Sequence, residues 1–199
     1  MTTLKQIKDH LSLHPVYWLW CFIFILSLAL QATDLTNTWR FDRIKILHGD
    51  YWLALSGHLV HISWSHWTIN MVGLAVVAIL FSKYCGIKQW IAVTICSALA
   101  IATGLLWLKP ELMYYAGLSG VIHGLFVYGV LSEIRINPKS GYILLVLFIT
   151  KLIWETFSGA LPGSEALTGS HVITEAHLFG AVGGTLTWVL ITTYKYADR

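Results

Sequence analysis

The segment 109–131, KPELMYYAGLSGVIHGLFVYGVL, decides the fold. It opens on Lys109, Pro110 and Glu111 and passes through Gly117-Leu118-Ser119-Gly120 into an apolar run, Ser119 to Leu131. A helix needs about 20 apolar residues to cross about 30 Å of hydrocarbon, and this run is too short. The residues before it, Lys109 to Leu118, are therefore expected to descend into the membrane as irregular backbone. Such backbone is tolerated at depth only where it is buried in protein or lines a wet cavity. Ser119 is thereby expected at a helix N-terminus, below the membrane surface and beside water. Gly117 and Gly120 leave room beside it for a second backbone or a substrate. Alone, Gly-x-Ser-Gly is weak evidence, because small residues let membrane helices touch in many proteins.

Composition supports the membrane reading. Of 199 residues 56% are hydrophobic and 12% charged, with ten Trp; a soluble domain carries about twice that charge. The three cysteines, Cys21, Cys85 and Cys96, are an odd number and suggest neither a disulfide framework nor a thiolate metal site. The net charge of +3 is scattered at segment ends, so no nucleic-acid partner is expected. His58 and His61 are metal-capable, but no HExxH and no completing carboxylate accompany them. Neither a metal nor a cofactor is expected.

Working outward, five more apolar runs appear: Val16 to Ala32, His66 to Phe81, Trp90 to Leu108, Tyr142 to Phe157 and Thr174 to Tyr194. The first is longer than a signal core and is followed by Thr33-Asp34-Leu35, which makes no small-residue cleavage site, so a retained helix is expected. Residues 1–15 form a polar tail. Residues 33–65 mix Phe41, Ile44, Leu47, Tyr51, Trp52 and Leu55 with polar groups, a pattern of short amphipathic helices in the membrane interface. Trp18, Trp64, Trp67, Trp90 and Trp107 at segment edges fit interfacial anchors. The expected fold is a single all-α membrane domain over 1–199: six transmembrane helices, a short recessed fourth helix and a long interfacial first loop on the outer face.

Loop charges set the orientation. Lys5, Lys8, Lys83, Lys88, Arg135, Lys139, Lys195 and Arg199 lie on one side; Arg40, Arg43, Lys45, Lys109 and Lys151 lie on the other. Eight basic residues against five place both termini in the cytoplasm. Ser119 then opens to the outside, the periplasm of a bacterial inner membrane.

Ionisable and amide groups inside spans are costly and each needs an account. His66 and Asn70 are four apart and share a face near the outer end of the second run. His177 lies one turn into the sixth run, followed on its face by Gly180, Ala181 and Gly184. Gly120 and Gly124 on the fourth run form a matching small-xxx-small surface. Closing these faces would bring His177 to Ser119, with two hydrogen-bonding groups from the second run alongside.

His66-Trp67-Thr68-Ile69-Asn70, Gly117-Leu118-Ser119-Gly120 and Ala176-His177-Leu178-Phe179-Gly180 resemble, in order, the three signature motifs of the rhomboid intramembrane serine proteases. Phe41-Asp42-Arg43, Gly49-Asp50-Tyr51-Trp52, His58-Leu59-Val60-His61 and the stretch Gly117 to Gly124 are similar to the rhombosortase branch. The resemblance implies a Ser-His dyad: Ser119 attacks the scissile carbonyl and His177 takes its proton, with no acidic third member needed. It implies an oxyanion site formed by the Asn70 amide, the His66 imidazole and the backbone N–H of Ser119, with Gly117, Gly120, His123 and Gly180 in support. The implied substrates are single-pass transmembrane proteins in the lipid bilayer. For the rhombosortase branch they are exported proteins with a C-terminal Gly-Gly motif, apolar helix and basic end.

The chain also departs from the family pattern. Trp52-Leu53 stands where many rhomboids have Trp-Arg, leaving Arg40 or Arg43 as candidates to brace the first loop. His123 stands where many place an aromatic on the catalytic histidine; stacking on or hydrogen bonding to His177 and a buried core role are both open. Lys151 and Glu155, at i, i+4, read most simply as an ion pair, and as a lesser reading line a substrate gate between the second and fifth runs. Residues Ser158 to Ser170 read as a flexible cap over the cavity. The alternative function is a catalytically silent rhomboid-like protein that binds transmembrane segments; a small channel or transporter is weaker, since no paired halves are visible.

Overall fold

A computed structural model of the chain describes residues 15–197. Lys5, Lys8, Asp9, Asp198 and Arg199 lie outside them, and with them nearly all of the N-terminal tail on which the expected orientation partly rests. The elements in order are α1 (Pro15–Ala32), α2 (Thr36–Trp39), β1 (Phe41–Asp42), α3 (Arg43–Leu47), α4 (Leu53–Ser56), α5 (Trp64–Phe81, continued by a 3-10 turn, Ser82–Tyr84), α6 (Ile87–Leu108), β2 (Tyr114–Tyr115), α7 (Ser119–Ile134), α8 (Pro138–Ser158), α9 (Ser164–Thr168) and α10 (Thr174–Ala197). Among the described residues, four helices are long and apolar enough to cross a membrane: Trp64–Tyr84, Ile87–Leu108, Pro138–Ser158 and Thr174–Tyr194. Two further apolar helices, Val16–Ala32 and Ser119–Ile134, are shorter. The protein is an integral membrane protein, mostly helical.

The helices start where local chemistry starts them. Ser63 caps α5 by accepting the His66 N–H at 3.0 Å. The Gln89 side chain reaches back to the Gly86 N–H at 2.5 Å and opens α6 three residues earlier than its apolar run. Pro138 occupies the first turn of α8, where no N–H is missed. This earlier start corrects the reading of Trp90, which lies one turn inside α6. Trp90 is fully buried, edge-on to Trp20 at 5.5 Å, and is a core residue.

The innermost helix is α7. At 16 residues it spans about 24 Å at 1.5 Å per residue. It packs against α5, α6, α8 and α10. Its Val121, Leu125 and Val130 are buried with Phe81 of α5 and Ile101 and Leu105 of α6. The outward faces are apolar instead: Phe22 and Ile25 on α1, and Val146, Leu147 and Ile153 on α8, are exposed. In a bilayer such faces meet lipid, so burying them against other helices gains little and helices associate by close packing. That packing is extreme between α7 and α10. A Cβ on Gly120 would lie 2.6 Å from the Ala176 carbonyl oxygen, one on Gly124 would lie 2.6 Å from that of Gly180, and one on Gly180 would collide with the Gly120 carbonyl.

The segment 33–65 folds into α2, α3 and α4, and it also contains a strand. Phe41 and Asp42 pair antiparallel with Tyr115 and Tyr114, a two-residue ladder in a chain read as all-α. Arg43, 7% exposed, does the bracing. Its guanidinium donates to the carbonyls of Leu106 at 2.8 Å, Lys109 at 2.6 Å, Leu112 at 2.8 Å and Leu105. These are the orphan acceptors at the C-terminus of α6 and just beyond, where a cation also meets the negative end of the helix dipole. Arg40 lies over the Tyr114 ring at 3.8 Å. One loop thus fastens the end of α6 and the strand that leads into α7.

Candidate active site

The turn before α7 is held by two hydrogen bonds to the backbone of Gly117. The Gly117 N–H donates to the Gly57 carbonyl at 3.0 Å, and the Gly117 carbonyl accepts from the Tyr115 hydroxyl at 2.8 Å. Gly117 has φ +137°, a conformation that side chains rarely adopt. A Cβ there would sit 2.9 Å from Nε2 of His66, so any other residue would fill the space that this imidazole and Asn70 face. No side chain caps α7, which leaves its first N–H groups and the positive end of its dipole directed at the space around Ser119.

Ser119 and His177 are brought together: Oγ and Nε2 are 3.0 Å apart. The glycine contacts above hold α10 against α7, so the separation of these two groups is set by helix packing and not by a loop. The His123 ring stacks on His177, with centroids 4.0 Å apart and planes 7° apart. Of its two open roles, stacking is the one observed. Nδ1 of His123 is 2.7 Å from the Ser119 carbonyl oxygen and Nε2 is 2.7 Å from Nζ of Lys151.

His66 and Asn70 line the same cleft of about 370 Å³ as Ser119 and His177. Asn70 is 3% exposed, and its Nδ2 has no hydrogen-bond partner among the described residues. A buried, unpaired amide donor costs about 1–3 kcal/mol, and it faces a space where an oxyanion could accept from it. Gly120 and Gly180 sit at the helix contact and not at the cleft. Of the residues expected at the site, His66, Asn70, Ser119, His123 and His177 line the cleft.

Glu155 was not expected in the site. Oε2 of this buried residue lies 3.0 Å from Nδ1 of His177 and 2.6 Å from Nζ of Lys151. The i, i+4 pair is therefore present, but it reaches across to α10. A carboxylate inside an apolar run was a signal available in the sequence; its partner on another helix was not. His123, Glu155 and His177 offer atoms within 4.8 Å of one another, spacing that suits a metal ion. Lys151, at 2.6 and 2.7 Å from two of them, already supplies the cation.

The segment expected as a flexible cap contains α9 and is strapped down. The hydroxyls of Ser63 and Ser65 donate to the Thr168 carbonyl at 2.6 and 3.2 Å. Thus the residue that caps α5 also holds the cap across the cleft.

Among the described residues, His58 and His61 join no metal-capable group with a carboxylate. Both are buried, His58 edge-on to Tyr115 at 5.5 Å and His61 edge-on to His66 at 5.1 Å. Burial holds His58 down at about 4 and His61 at about 3. An unfolded chain takes up these protons near pH 6.5, whereas the folded chain does not until pH 3–4. Stability present at neutral pH is therefore lost as pH falls below 6.5, by up to on the order of 3 kcal/mol per histidine. Thermal unfolding in detergent is expected to show this decline already between pH 6.5 and 5, above the carboxylate range, and His61→Gln is expected to flatten it.

Comparison with known families matches residues 48–194 to the Rhomboid domain. The match takes in α4 to α9 and α10 as far as residue 194, and includes Ser119, His177, His66 and Asn70.

Proposed function

The chain belongs to the rhomboid family, whose members generally are intramembrane serine proteases acting on transmembrane substrates within the bilayer, and from that premise we propose that this protein is an active one, with Ser119 as nucleophile and His177 as base. The observation that carries the reading is the 3.0 Å contact between Oγ and Nε2 in a cleft that also holds the unpaired Asn70 amide. A serine hydroxyl is a weak nucleophile until an adjacent base removes its proton.

In the proposed reaction Oγ bonds to the scissile carbonyl carbon as its proton passes to Nε2 of His177. The displaced carbonyl electrons settle on oxygen, which accepts from Asn70 Nδ2, the His66 imidazole and the Ser119 N–H, beside the positive end of α7. The tetrahedral centre then breaks its C–N bond, and His177 returns the proton to the leaving amine. Water attacks the acyl ester, passing a proton to His177, and Ser119 leaves as the alcohol with that proton. Loss of one oxyanion donor typically costs about 100-fold to 1000-fold in rate.

We place the protein in a bacterial inner membrane as a single domain of six transmembrane helices, with α7 recessed, both termini cytoplasmic, residues 33–65 on the outer face and the cleft opening to the periplasm. The motifs similar to the rhombosortase branch support substrates that are exported proteins anchored by a C-terminal tail with a Gly-Gly motif, an apolar helix and a basic end. Co-expression with such a tailed protein, reading its new C-terminus by mass spectrometry, tests this. Removal of the tail by the wild type and not by Ser119→Ala is the expected result; an intact tail in both would sink the substrate assignment.

A further inference from the structure

Resting on that reading of Ser119 and His177, the cleft holds three more ionisable groups that close a ring with them. Ser119 Oγ meets Nε2 of His177 at 3.0 Å, Nδ1 of His177 meets Oε2 of Glu155 at 3.0 Å, and that oxygen meets Nζ of Lys151 at 2.6 Å. Lys151 meets Nε2 of His123 at 2.7 Å, and Nδ1 of His123 meets the Ser119 carbonyl at 2.7 Å. The ring leads from the hydroxyl of Ser119 back to its own backbone.

With Lys151 and Glu155 ionised and both histidines neutral, one placement of protons satisfies all five contacts. A carbonyl only accepts and an ammonium only donates. His123 therefore donates from Nδ1 to Ser119 and accepts at Nε2 from Lys151. Lys151 also donates to Glu155, whose carboxylate accepts a second bond from the Nδ1–H of His177. That leaves Nε2 of His177 with its lone pair on the Ser119 hydroxyl, the tautomer a base must have.

We propose that Glu155 is a positioning residue for the reaction: it holds His177 in the tautomer and orientation that take the Ser119 proton, and its charge balances the imidazolium that results. Lys151 and His123 hold the carboxylate in turn. The proton leaving Ser119 ends on Nε2, the Nδ1 proton stays where it is, and Glu155 remains ionised throughout. The positive charge gained by His177 equals the negative charge gained by the oxyanion. A plain i, i+4 surface pair requires no such geometry, since it gains little and stays in solvent. Here the carboxylate is buried and spans from α8 to α10.

The test separates positioning from a merely structural pair. Glu155→Gln alone strands an ammonium beside the ring, so folding and rate both suffer. The double variant Glu155→Gln/Lys151→Met removes both charges, and Glu155→Asp keeps both with a shorter arm. Each is measured as the full chain in detergent, on the monodisperse fraction, by thermal unfolding and by saturable fluorophosphonate labelling at Ser119. The double variant is expected to unfold near the wild-type temperature, label about 100-fold more slowly at saturation and keep its half-saturating probe concentration. The Asp variant is expected to lose about 10-fold to 100-fold. A folded double variant labelled within about threefold of wild type, or an Asp variant at the wild-type rate, overturns the role of Glu155. A wild-type chain that takes no label at Ser119 overturns the reading of Ser119 itself, and the inference with it.

Discussion

Ser119→Ala is expected to lower cleavage by roughly 10⁴-fold to 10⁶-fold, and His177→Ala by a similar factor, while each variant stays inserted and folded. The size follows from interdependence. Without His177 the hydroxyl at 3.0 Å keeps its proton and is a poor nucleophile; without Ser119 the base has nothing to activate. The two losses therefore do not add, and the double variant is expected to be no slower than either single one. Fluorophosphonate labelling should require both residues, and the wild-type rate should fall on acidification because the base must be neutral. Robust cleavage by Ser119→Ala would dispose of the mechanism and favour a protein that binds transmembrane segments without cutting them.

Gly180→Val is expected to remove activity to background although Gly180 touches no substrate. The Cβ alone would collide with the Gly120 carbonyl, a backbone atom that cannot rotate away. Relief requires α10 to move off α7 by more than an ångström, and a misplacement of about 1 Å already costs about 100-fold where two groups must meet. The two methyl groups of valine extend the shift and add about 1–3 kcal/mol of overpacking. A drop in thermal stability together with loss of labelling is the expected result. Wild-type labelling by Gly180→Val would show that the helix contact does not set the Ser119–His177 distance. Gly180→Ala should fall between the two.

Much of this architecture can be read from residues in order. The apolar runs are legible because hydrocarbon admits few charges, and each run reappears as a helix, with the starts of α5 and α6 moved by side-chain contacts. The runs did not reveal that α6 starts at Ile87, because Gly86 and Gln89 begin it through a side-chain contact and not through hydrophobicity. That shift of three residues moved Trp90 from the interface into the core. Helix ends in loops are decided by local hydrogen bonds, which composition does not record.

The residues with chemistry divide the same way. Ser119, His177, His66 and Asn70 were visible as polar groups that a bilayer would otherwise exclude, each near the N-terminal end of its run. Glu155 and Lys151 were equally visible as an i, i+4 pair, because that spacing is a property of a single helix. Their reach to His177 and His123, and the reach of Arg43 to four carbonyls around the end of α6, depend on how neighbouring helices are rotated and how deep each sits. A helix apolar on nearly every face carries no stripe to specify that rotation. Residue order alone thus determined which groups lie in the apolar runs and how near the end of each run they stand. Only the packed bundle, through the close contact of α7 with α10, decided which of them touch.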